Sequence, residues 1–207
     1  MMGDADNKTP DSRLYSIEET LQICLQDKLF YEDSGGGVTL SGGEVLTQPK
    51  FAIALLKALK KEGIHTAIET SGYAAREIFG EVSALPDMLL FDIKHYSGSR
   101  HAEGTGVHND LILENLKLAI ERKTSILSRI PVIPGYNDSK EDACGFAALL
   151  TSMGLEQVQL LPFHQFGERK YDLLGIPYEM KNVRQLHKED LEEFARVIVN
   201  AGISCLI

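Results

Sequence analysis

Two periodicities alternate along the chain, and this alternation predicts its secondary structure. Short β-prone runs, some of them almost continuously apolar, are separated by longer stretches whose apolar positions recur at helical spacing. The predicted strands are 38–40, 64–69, 88–93, 125–132, 158–161 and 203–207. The predicted helices are one that follows a capping box of Ser16 with Glu19, one that runs from Pro49 to Gly63, and those at 74–84, 109–122, 139–153 and 188–200.

The first two helices each have an apolar face. On the first, that face consists of Leu21, Cys24, Leu25 and Leu29. On the second, it consists of Phe51, Leu55, Leu56 and Leu59. Both stripes predict packing against a sheet.

Strands that alternate with helices predict parallel βαβ units. The chain has about five complete units, too few for a closed eight-unit barrel. A partial, open barrel and a doubly wound sheet both fit this count, and periodicity does not separate them. We expect an α/β fold over residues 16–207, with residues 1–15 a linker or a disordered start.

Composition narrows the classes of function. The net charge of −9 argues against nucleic acid and anionic membranes as partners. No apolar run approaches the ~20 residues that span a bilayer, and the first residues lack the apolar core of a signal peptide. Three scattered cysteines do not make a disulfide framework, so we expect a cytoplasmic protein.

Candidate chemistry lies where the predicted strands end, because ligand sites of parallel α/β folds lie at the carboxyl ends of the strands. The polar or ionisable residues at or near these ends include Gly42, Gly43, Glu44, Glu69, Asp92, Lys94, Arg129 and His164. Each also has a structural interpretation. The glycines fit a tight turn, Glu44 fits a first-turn helix carboxylate, and His164 fits an ordinary loop histidine. Asp92 fits an ion pair with Lys94, and Arg129 fits an ion pair with Glu69 or Asp92.

Five motifs in order resemble one family, the activating enzymes of glycyl-radical enzymes, often labelled pyruvate formate-lyase activating enzymes. The motifs are Ser41-Gly42-Gly43-Glu44, Ile68-Glu69-Thr70-Ser71-Gly72, Asp92-Ile93-Lys94, Arg129-Ile130-Pro131-Val132-Ile133-Pro134-Gly135 and Leu160-Leu161-Pro162-Phe163-His164. This family is a branch of the radical S-adenosylmethionine (SAM) superfamily. The resemblance implies a partial (β/α)6 open barrel of the radical SAM type, here without its first βα unit.

The resemblance also implies a reaction and a set of roles. Family members reductively cleave SAM to a 5′-deoxyadenosyl radical, which removes a hydrogen atom from a glycine of the partner enzyme. Gly42, Gly43 and Glu44 would receive the methionyl ammonium of SAM, and Asp92 and Lys94 would lie by its carboxylate. The remaining implied roles are a monovalent cation at Glu69 and Asp92, ribose contact by His164, and a site-lining position for Arg129.

The chain departs from the family in its cysteines. The family binds a [4Fe–4S] cluster through Cys-x3-Cys-x2-Cys, whereas this chain has only Cys24, Cys144 and Cys205. We therefore expect the cluster in an intact protein but not on this chain, and we interpret the three cysteines as small buried hydrophobic residues. The implied partners are a glycyl-radical enzyme resembling pyruvate formate-lyase and a flavodoxin or ferredoxin-type reductant.

We expect this chain to be the C-terminal part of a longer enzyme. One sheet edge would then be open to self-association. Two alternatives remain. The first is a catalytically inert barrel that binds SAM or the partner. The second is an unrelated barrel enzyme, an aldolase or isomerase, with Lys94 and Glu69 as acid–base groups.

Overall fold

The computed structural model describes residues 13–207, apart from the side chain of Lys170. The strands are β1 Gly37–Leu40, β2 His65–Thr70, β3 Met88–Asp92, β4 Ile126–Val132, β5 Gln157–Pro162 and β6 Ser204–Leu206. The helices are α1 Ile17–Leu25, α2 Lys28–Ser34, α3 Pro49–Lys61, α4 Arg76–Val82, α5 Gly98–Thr105, α6 Asp110–Glu121, α7 Lys140–Ser152, α8 Glu168–Leu174 and α9 Glu192–Asn200. Short 3-10 turns cover Val45–Thr47 and Lys188–Leu191.

The six strands form one sheet in the order β1-β2-β3-β4-β5-β6, and every neighbouring pair is parallel. A doubly wound sheet reverses its strand order at a switch point, whereas this order never reverses. Because crossovers between parallel strands are right-handed, an unreversed order puts every connecting helix on the same side. The sheet is therefore the partial, open barrel, and this alternative of the two sequence interpretations is confirmed.

The two faces of the sheet differ in burial. Alternate strand residues such as Ile68, Phe91 and Ile130 are fully buried beneath the helices. The residues between them, such as Glu69 and Asp92, keep part of their surface exposed. Side chains alternate between faces along a strand, so the polar residues at the strand ends point to the face opposite the helices. We call this the open face.

Local sequence signals explain several of the helix ends. The Ser16–Glu19 capping box is present at the start of α1, and a second one, between Ser139 and Asp142, starts α7. Pro49 is the first residue of α3, where its missing N–H costs no hydrogen bond. Gly63 follows α3 with φ +73°, a conformation that glycine adopts without strain.

Three sequence predictions need correction. Leu29 does not continue the apolar face of α1, because that helix ends at Leu25 and Leu29 lies on α2 with 78% of its surface exposed. Cys144 is exposed, so its interpretation as a buried hydrophobic residue is wrong. Helices α5 and α8 were not predicted, since neither segment has a clear apolar stripe.

The prediction of a linker at residues 1–15 falls mostly outside the described residues. Two helices, α1 and α2, precede β1, and α1 packs against α3. None of the helices formed by residues 13–207 combines the length and apolar character needed to cross a bilayer.

Candidate functional site

Four charged side chains meet at the carboxyl ends of β2, β3 and β4. Asp92 is the register partner of Arg129 on the neighbouring strand, so their side chains lie side by side on the open face. Arg129 Nη2 lies 2.6 Å from Glu69 Oε1 and 2.8 Å from Asp92 Oδ1, and Arg129 Nε donates to Asp92 Oδ1 at 3.0 Å. Lys94 Nζ lies 3.7 Å from Asp92 Oδ2. Arg129 therefore bridges two carboxylates, as the structural interpretation of the sequence allowed.

Burial differs among these four groups and decides how their charges behave. The side chains of Arg129 and Asp92 are 10% and 16% exposed, whereas those of Lys94 and Glu69 are 36% and 37% exposed. Burial raises the pKa of Asp92 above its ordinary value, and the nearby Lys94 and Arg129 only partly oppose it. Burial also acts to raise the pKa of Glu69, but hydrogen bonding and charge from Arg129 outweigh it and lower that pKa. A ligand approaching the site thus meets Lys94 and Glu69 first.

The glycine loop after β1 lies against this cluster. Ser41, Gly42, Gly43 and Glu44 line a cavity of about 160 Å³ together with Glu69, Thr70, Ser71, Asp92 and Lys94. Ser41 Oγ donates to Glu69 Oε2 at 3.1 Å, which joins the loop to the charged cluster. A methyl group added at Gly42 or Gly43 would have no protein atom within 4 Å. The glycines therefore leave open space beside the loop, where a ligand can approach the backbone closely.

Glu44 uses its carboxylate differently from the sequence expectation. Its Oε1 accepts from Leu46 N and Thr70 Oγ1, and its Oε2 accepts from Ser71 N and Ser71 Oγ. It caps the short 3-10 turn Val45–Thr47, in line with the structural interpretation of a first-turn carboxylate. The side chain thus joins the loop after β1 to the loop after β2.

His164 lies on the loop after β5, two strands along from Asp92. Its side chain is exposed, and its ring lies 4.3 Å from the ring of Phe166, centroid to centroid. Its Nδ1 accepts from the backbone N–H of Phe166 at 3.3 Å. The cavity beside Gly42 and Gly43 is lined by Asp92 and Lys94 but not by His164.

Buried asparagines hold the loops that carry the site, and the sequence interpretation missed them. Asn137 is fully buried: its Nδ2 donates to the carbonyls of Lys94 and Pro131, and its Oδ1 accepts from Ile133 N. Asn109 likewise donates to the carbonyls of residues 95 and 96. The position of Asn137 in a Pro-Gly-Tyr-Asn-Asp turn was the available signal, because such asparagines often bond to the backbone.

His95, directly after Lys94, is the second feature that the sequence interpretation did not use. It is 1% exposed and lies among the rings of Tyr96, Tyr136 and Phe146. Its Nδ1 accepts from Ser97 N at 3.0 Å, which puts the proton of the neutral ring on Nε2, 3.5 Å from Asp142 Oδ1. Burial lowers the pKa of His95 below its ordinary value of 6.5, and Asp142 only partly opposes this.

A pH dependence of stability follows from His95. The contribution of His95 to the free energy of unfolding is complete above pH 6.5, the unfolded-state pKa. This contribution is lost as the pH falls through the lowered folded-state pKa. We expect the free energy of unfolding, measured in urea, to fall between pH 7.5 and pH 5.5 by at most about 1.4 kcal/mol per pH unit. The slope should flatten in His95→Gln and persist in the exposed control His108→Gln. An unchanged slope in His95→Gln would refute the assignment.

The residues fit the two implied cofactors unequally. An open glycine loop next to the partly exposed Lys94 and Glu69 fits a zwitterionic ligand such as the methionyl part of SAM. The cysteines do not fit an iron–sulfur cluster, because Cys24, Cys144 and Cys205 lie on α1, α7 and β6. Burial raises the pKa of the Cys24 thiol, and it raises that of Cys205 to about 11. Within residues 13–207 no group of three or more His, Cys, Asp or Glu side chains is arranged to hold a metal.

Similarity to known proteins identifies the family. The model of the radical SAM superfamily matches residues 3–147. The chain is 44% identical over 181 residues to the choline trimethylamine-lyase activating enzyme of Oleidesulfovibrio alaskensis, covering 86% of this chain and 58% of that protein. It is 42% identical over 171 residues to the (2S)-3-sulfopropanediol sulfolyase activating enzyme of Bilophila wadsworthia, covering 82% and 57%.

A solved structure agrees with these sequences. The crystal structure of a domain of pyruvate-formate lyase-activating enzyme from Bacteroides vulgatus has a TM-score of 0.68 and 29% identity, covering 83% of this chain and 98% of that one. The chain belongs to the radical SAM superfamily. Within it, the similarity is to the activating enzymes of glycyl-radical enzymes, which confirms the resemblance carried by the motifs. The chain spans less than two thirds of the length of the two curated relatives.

Proposed function

We propose that the open face binds SAM, and that the chain is the SAM-binding part of an enzyme that activates a glycyl-radical enzyme. The observation that carries this proposal is the open loop at Gly42 and Gly43 beside a partly exposed amine and carboxylate. A glycine backbone without side chains lets a ligand approach closely. The opposite charges of Lys94 and Glu69 can pair with the carboxylate and the ammonium of an amino-acid zwitterion. The unrelated aldolase or isomerase interpretation has no support from the family match.

The proposed roles follow the exposed groups. Lys94 binds the methionyl carboxylate, because its amine remains partly exposed although Asp92 Oδ2 lies 3.7 Å away. Asp92 and Glu69 hold Arg129 in place, and a monovalent cation at these two carboxylates stays a prediction. His164 approaches the ribose from the loop after β5. The loop at Gly42 and Gly43 faces the methionyl ammonium.

The chemistry that SAM supplies, when a reduced cluster is present, is a radical able to remove a hydrogen atom from glycine. The described cysteines do not form the cluster site, so we assign no step of that reaction to this chain. Its own residues bind and orient SAM, and they keep the methionyl charges paired in a partly buried site. In the intact enzyme, a flavodoxin or ferredoxin-type protein would supply the electron.

The proposed partner is a glycyl-radical enzyme. Support comes from the relatives, whose names describe activators of a choline trimethylamine-lyase, a (2S)-3-sulfopropanediol sulfolyase and a trans-4-hydroxy-L-proline dehydratase. Because these partners differ, the proposal extends only to the class, a glycyl-radical enzyme that resembles pyruvate formate-lyase. We also propose self-association through β1, whose outer side pairs with no strand of the described chain.

A second candidate function is a barrel that binds SAM or the partner without turnover. The separation of the three cysteines favours it for this chain alone. The two candidates share the same SAM site. They differ in whether a cluster reaches that site from outside the described residues.

The Gly43→Ala variant tests the SAM site. Gly43 has no positive φ and no neighbour within 4 Å of an added methyl group, so the folded protein should tolerate alanine. The methyl group would instead occupy the space assigned to SAM. We expect the affinity for SAM, measured by isothermal titration calorimetry, to fall at least about tenfold, which corresponds to about 1.4 kcal/mol.

Gly167→Ala is the matched control, because Gly167 also has an ordinary φ and open surroundings, at the start of α8. Its SAM affinity and its melting temperature should equal those of the wild type. The proposal fails if wild-type protein does not bind SAM, or if Gly43→Ala binds it as tightly as wild type does.

A further inference from the structure

The carboxylate of Glu44 is fully occupied by the protein itself. A carboxylate has about four lone-pair sites, and Glu44 accepts four hydrogen bonds. Thr70 Oγ1 donates to Oε1 at 2.6 Å and Leu46 N at 3.2 Å, while Ser71 Oγ and Ser71 N donate to Oε2 at 2.7 and 2.9 Å. A ligand ammonium would have to displace one of these donors to reach Glu44.

The two hydroxyl groups that bind Glu44 are themselves held in place. Thr70 Oγ1 accepts from Gly72 N at 3.0 Å, and Ser71 Oγ accepts from Tyr73 N at 3.3 Å. Each hydroxyl therefore donates to the carboxylate and accepts from the turn after β2. Thr70 is buried, with 2% of its surface exposed. Removing Glu44 would leave a buried hydroxyl donor without its acceptor, which favours the observed arrangement.

The loop next to Glu44 has free acceptors of its own. In the described part of the chain, no hydrogen bond is made to the backbone carbonyls of Gly42 or Gly43. Both glycines are exposed, and the space around them is open. These carbonyl oxygens are therefore available as acceptors for an ammonium beside the loop, whereas the acceptor sites of Glu44 are already in use.

We propose that Glu44 is a positioning residue that acts through Thr70 and Ser71, and that it does not contact the ammonium of SAM. We call these three residues the clasp. By joining the loops after β1 and β2, the clasp fixes the carbonyls of Gly42 and Gly43 where they receive the ammonium. This inference rests on the proposed function for the identity of the ligand, whereas the clasp itself rests on the hydrogen bonds alone.

Binding of two ligands separates positioning from direct contact. The probes are SAM and an analogue in which hydrogen replaces the α-amino group, titrated by calorimetry into wild type, Glu44→Gln and Ser71→Ala. If Glu44 is a positioning residue, each variant should lower the affinity for SAM about tenfold, the typical effect of losing a hydrogen bond to a charged group. Ser71→Ala, which leaves Glu44 in place, should weaken SAM as much as Glu44→Gln does. If Glu44→Gln lowers the affinity for SAM while Ser71→Ala leaves that affinity unchanged, Glu44 contacts the ammonium and the proposal is overturned.

The analogue supplies the second comparison. It lacks the ammonium, so a direct salt bridge to Glu44 would leave its affinity unchanged in Glu44→Gln. A displaced loop would instead weaken binding of the analogue as well, because the loop after β1 lines the same cavity as Lys94, to which the methionyl carboxylate is assigned. The matched control is Glu103→Gln, an exposed carboxylate paired with Arg100 on α5, and it should change neither affinity.

A double-mutant cycle tests the clasp without any ligand. We expect Glu44→Gln and Ser71→Ala each to lower the melting temperature, and the double variant to lower it no further than the larger single change. Additive losses of melting temperature in the double variant would overturn the clasp even if the wild-type protein binds SAM. If wild-type protein binds no SAM while the losses are non-additive, the clasp stands as a structural element, and the proposed function and the positioning role both fail.

Discussion

Replacing Arg129 with methionine is expected to destabilise the fold more than any other single change among the four charged residues of the site. Arg129 is 10% exposed and bridges Glu69 and Asp92 through one nitrogen. Its removal leaves two carboxylates facing each other without their shared cation. Breaking a buried ion pair costs about 3–5 kcal/mol. Because Glu69 is 37% exposed, water screens part of the repulsion, and we expect the lower end, about 3 kcal/mol.

Urea unfolding of wild type and Arg129→Met at pH 7 and pH 4 measures this effect. Arg129 lowers the pKa of Glu69, so the stability it provides through Glu69 is present above the unfolded-state pKa of 4.5 and is lost as the pH falls through the folded-state value. The difference in unfolding free energy between wild type and Arg129→Met should therefore shrink towards pH 4. Arg184→Met, which breaks an ion pair whose arginine is 65% exposed, is the control and should cost at most about 1 kcal/mol. Equal stability of Arg129→Met and wild type would contradict the bridging role.

The fold could be predicted from sequence because its signals are local. Capping at Ser16, proline at position 49 and the apolar run at 88–93 each specify one element, and their alternation specifies a parallel sheet. The choice between barrel and doubly wound sheet needed the strand order, which is a long-range property. Helices α5 and α8 escaped prediction because polar residues dominate both of them and α5 also contains two glycines, so neither shows an apolar stripe at helical spacing.

The site could be predicted only in part, for a related reason. Residues at strand ends converge in any parallel sheet, so the meeting of Glu69, Asp92 and Arg129 followed from the pattern. Which partner each residue takes depends on strand register and on the path of the loops. Glu44 illustrates this, because its acceptor role was expected to serve a ligand, whereas the register of β1 with β2 brings Thr70 and Ser71 to it first.

The support beneath the site was invisible to the sequence motifs, and its loss has an expected effect on stability at least as large as that of Arg129→Met. Asn137 is fully buried and makes three hydrogen bonds, to the carbonyls of Lys94 and Pro131 and from Ile133 N. Asn137→Ala leaves these three backbone groups unpaired, at about 1–3 kcal/mol each. We expect a loss of at least about 3 kcal/mol in the free energy of unfolding, measured by urea titration. SAM affinity should fall as well, because the loop that carries Lys94 loses its anchor.

Asn137→Asp separates the hydrogen bonds from the shape of the side chain. Aspartate keeps the volume and the acceptor for Ile133 N, but it sets a carboxylate oxygen against the carbonyls of Lys94 and Pro131. At pH 7 it should therefore destabilise about as much as alanine does, whereas protonation at low pH restores one donor and recovers part of the loss. Asn200→Ala, on the exposed end of α9, should stay within about 0.5 kcal/mol of wild type. If Asn137→Asp were as stable as wild type at pH 7, the donor bonds to Lys94 and Pro131 would not hold this loop, and the position of Lys94 would need another cause.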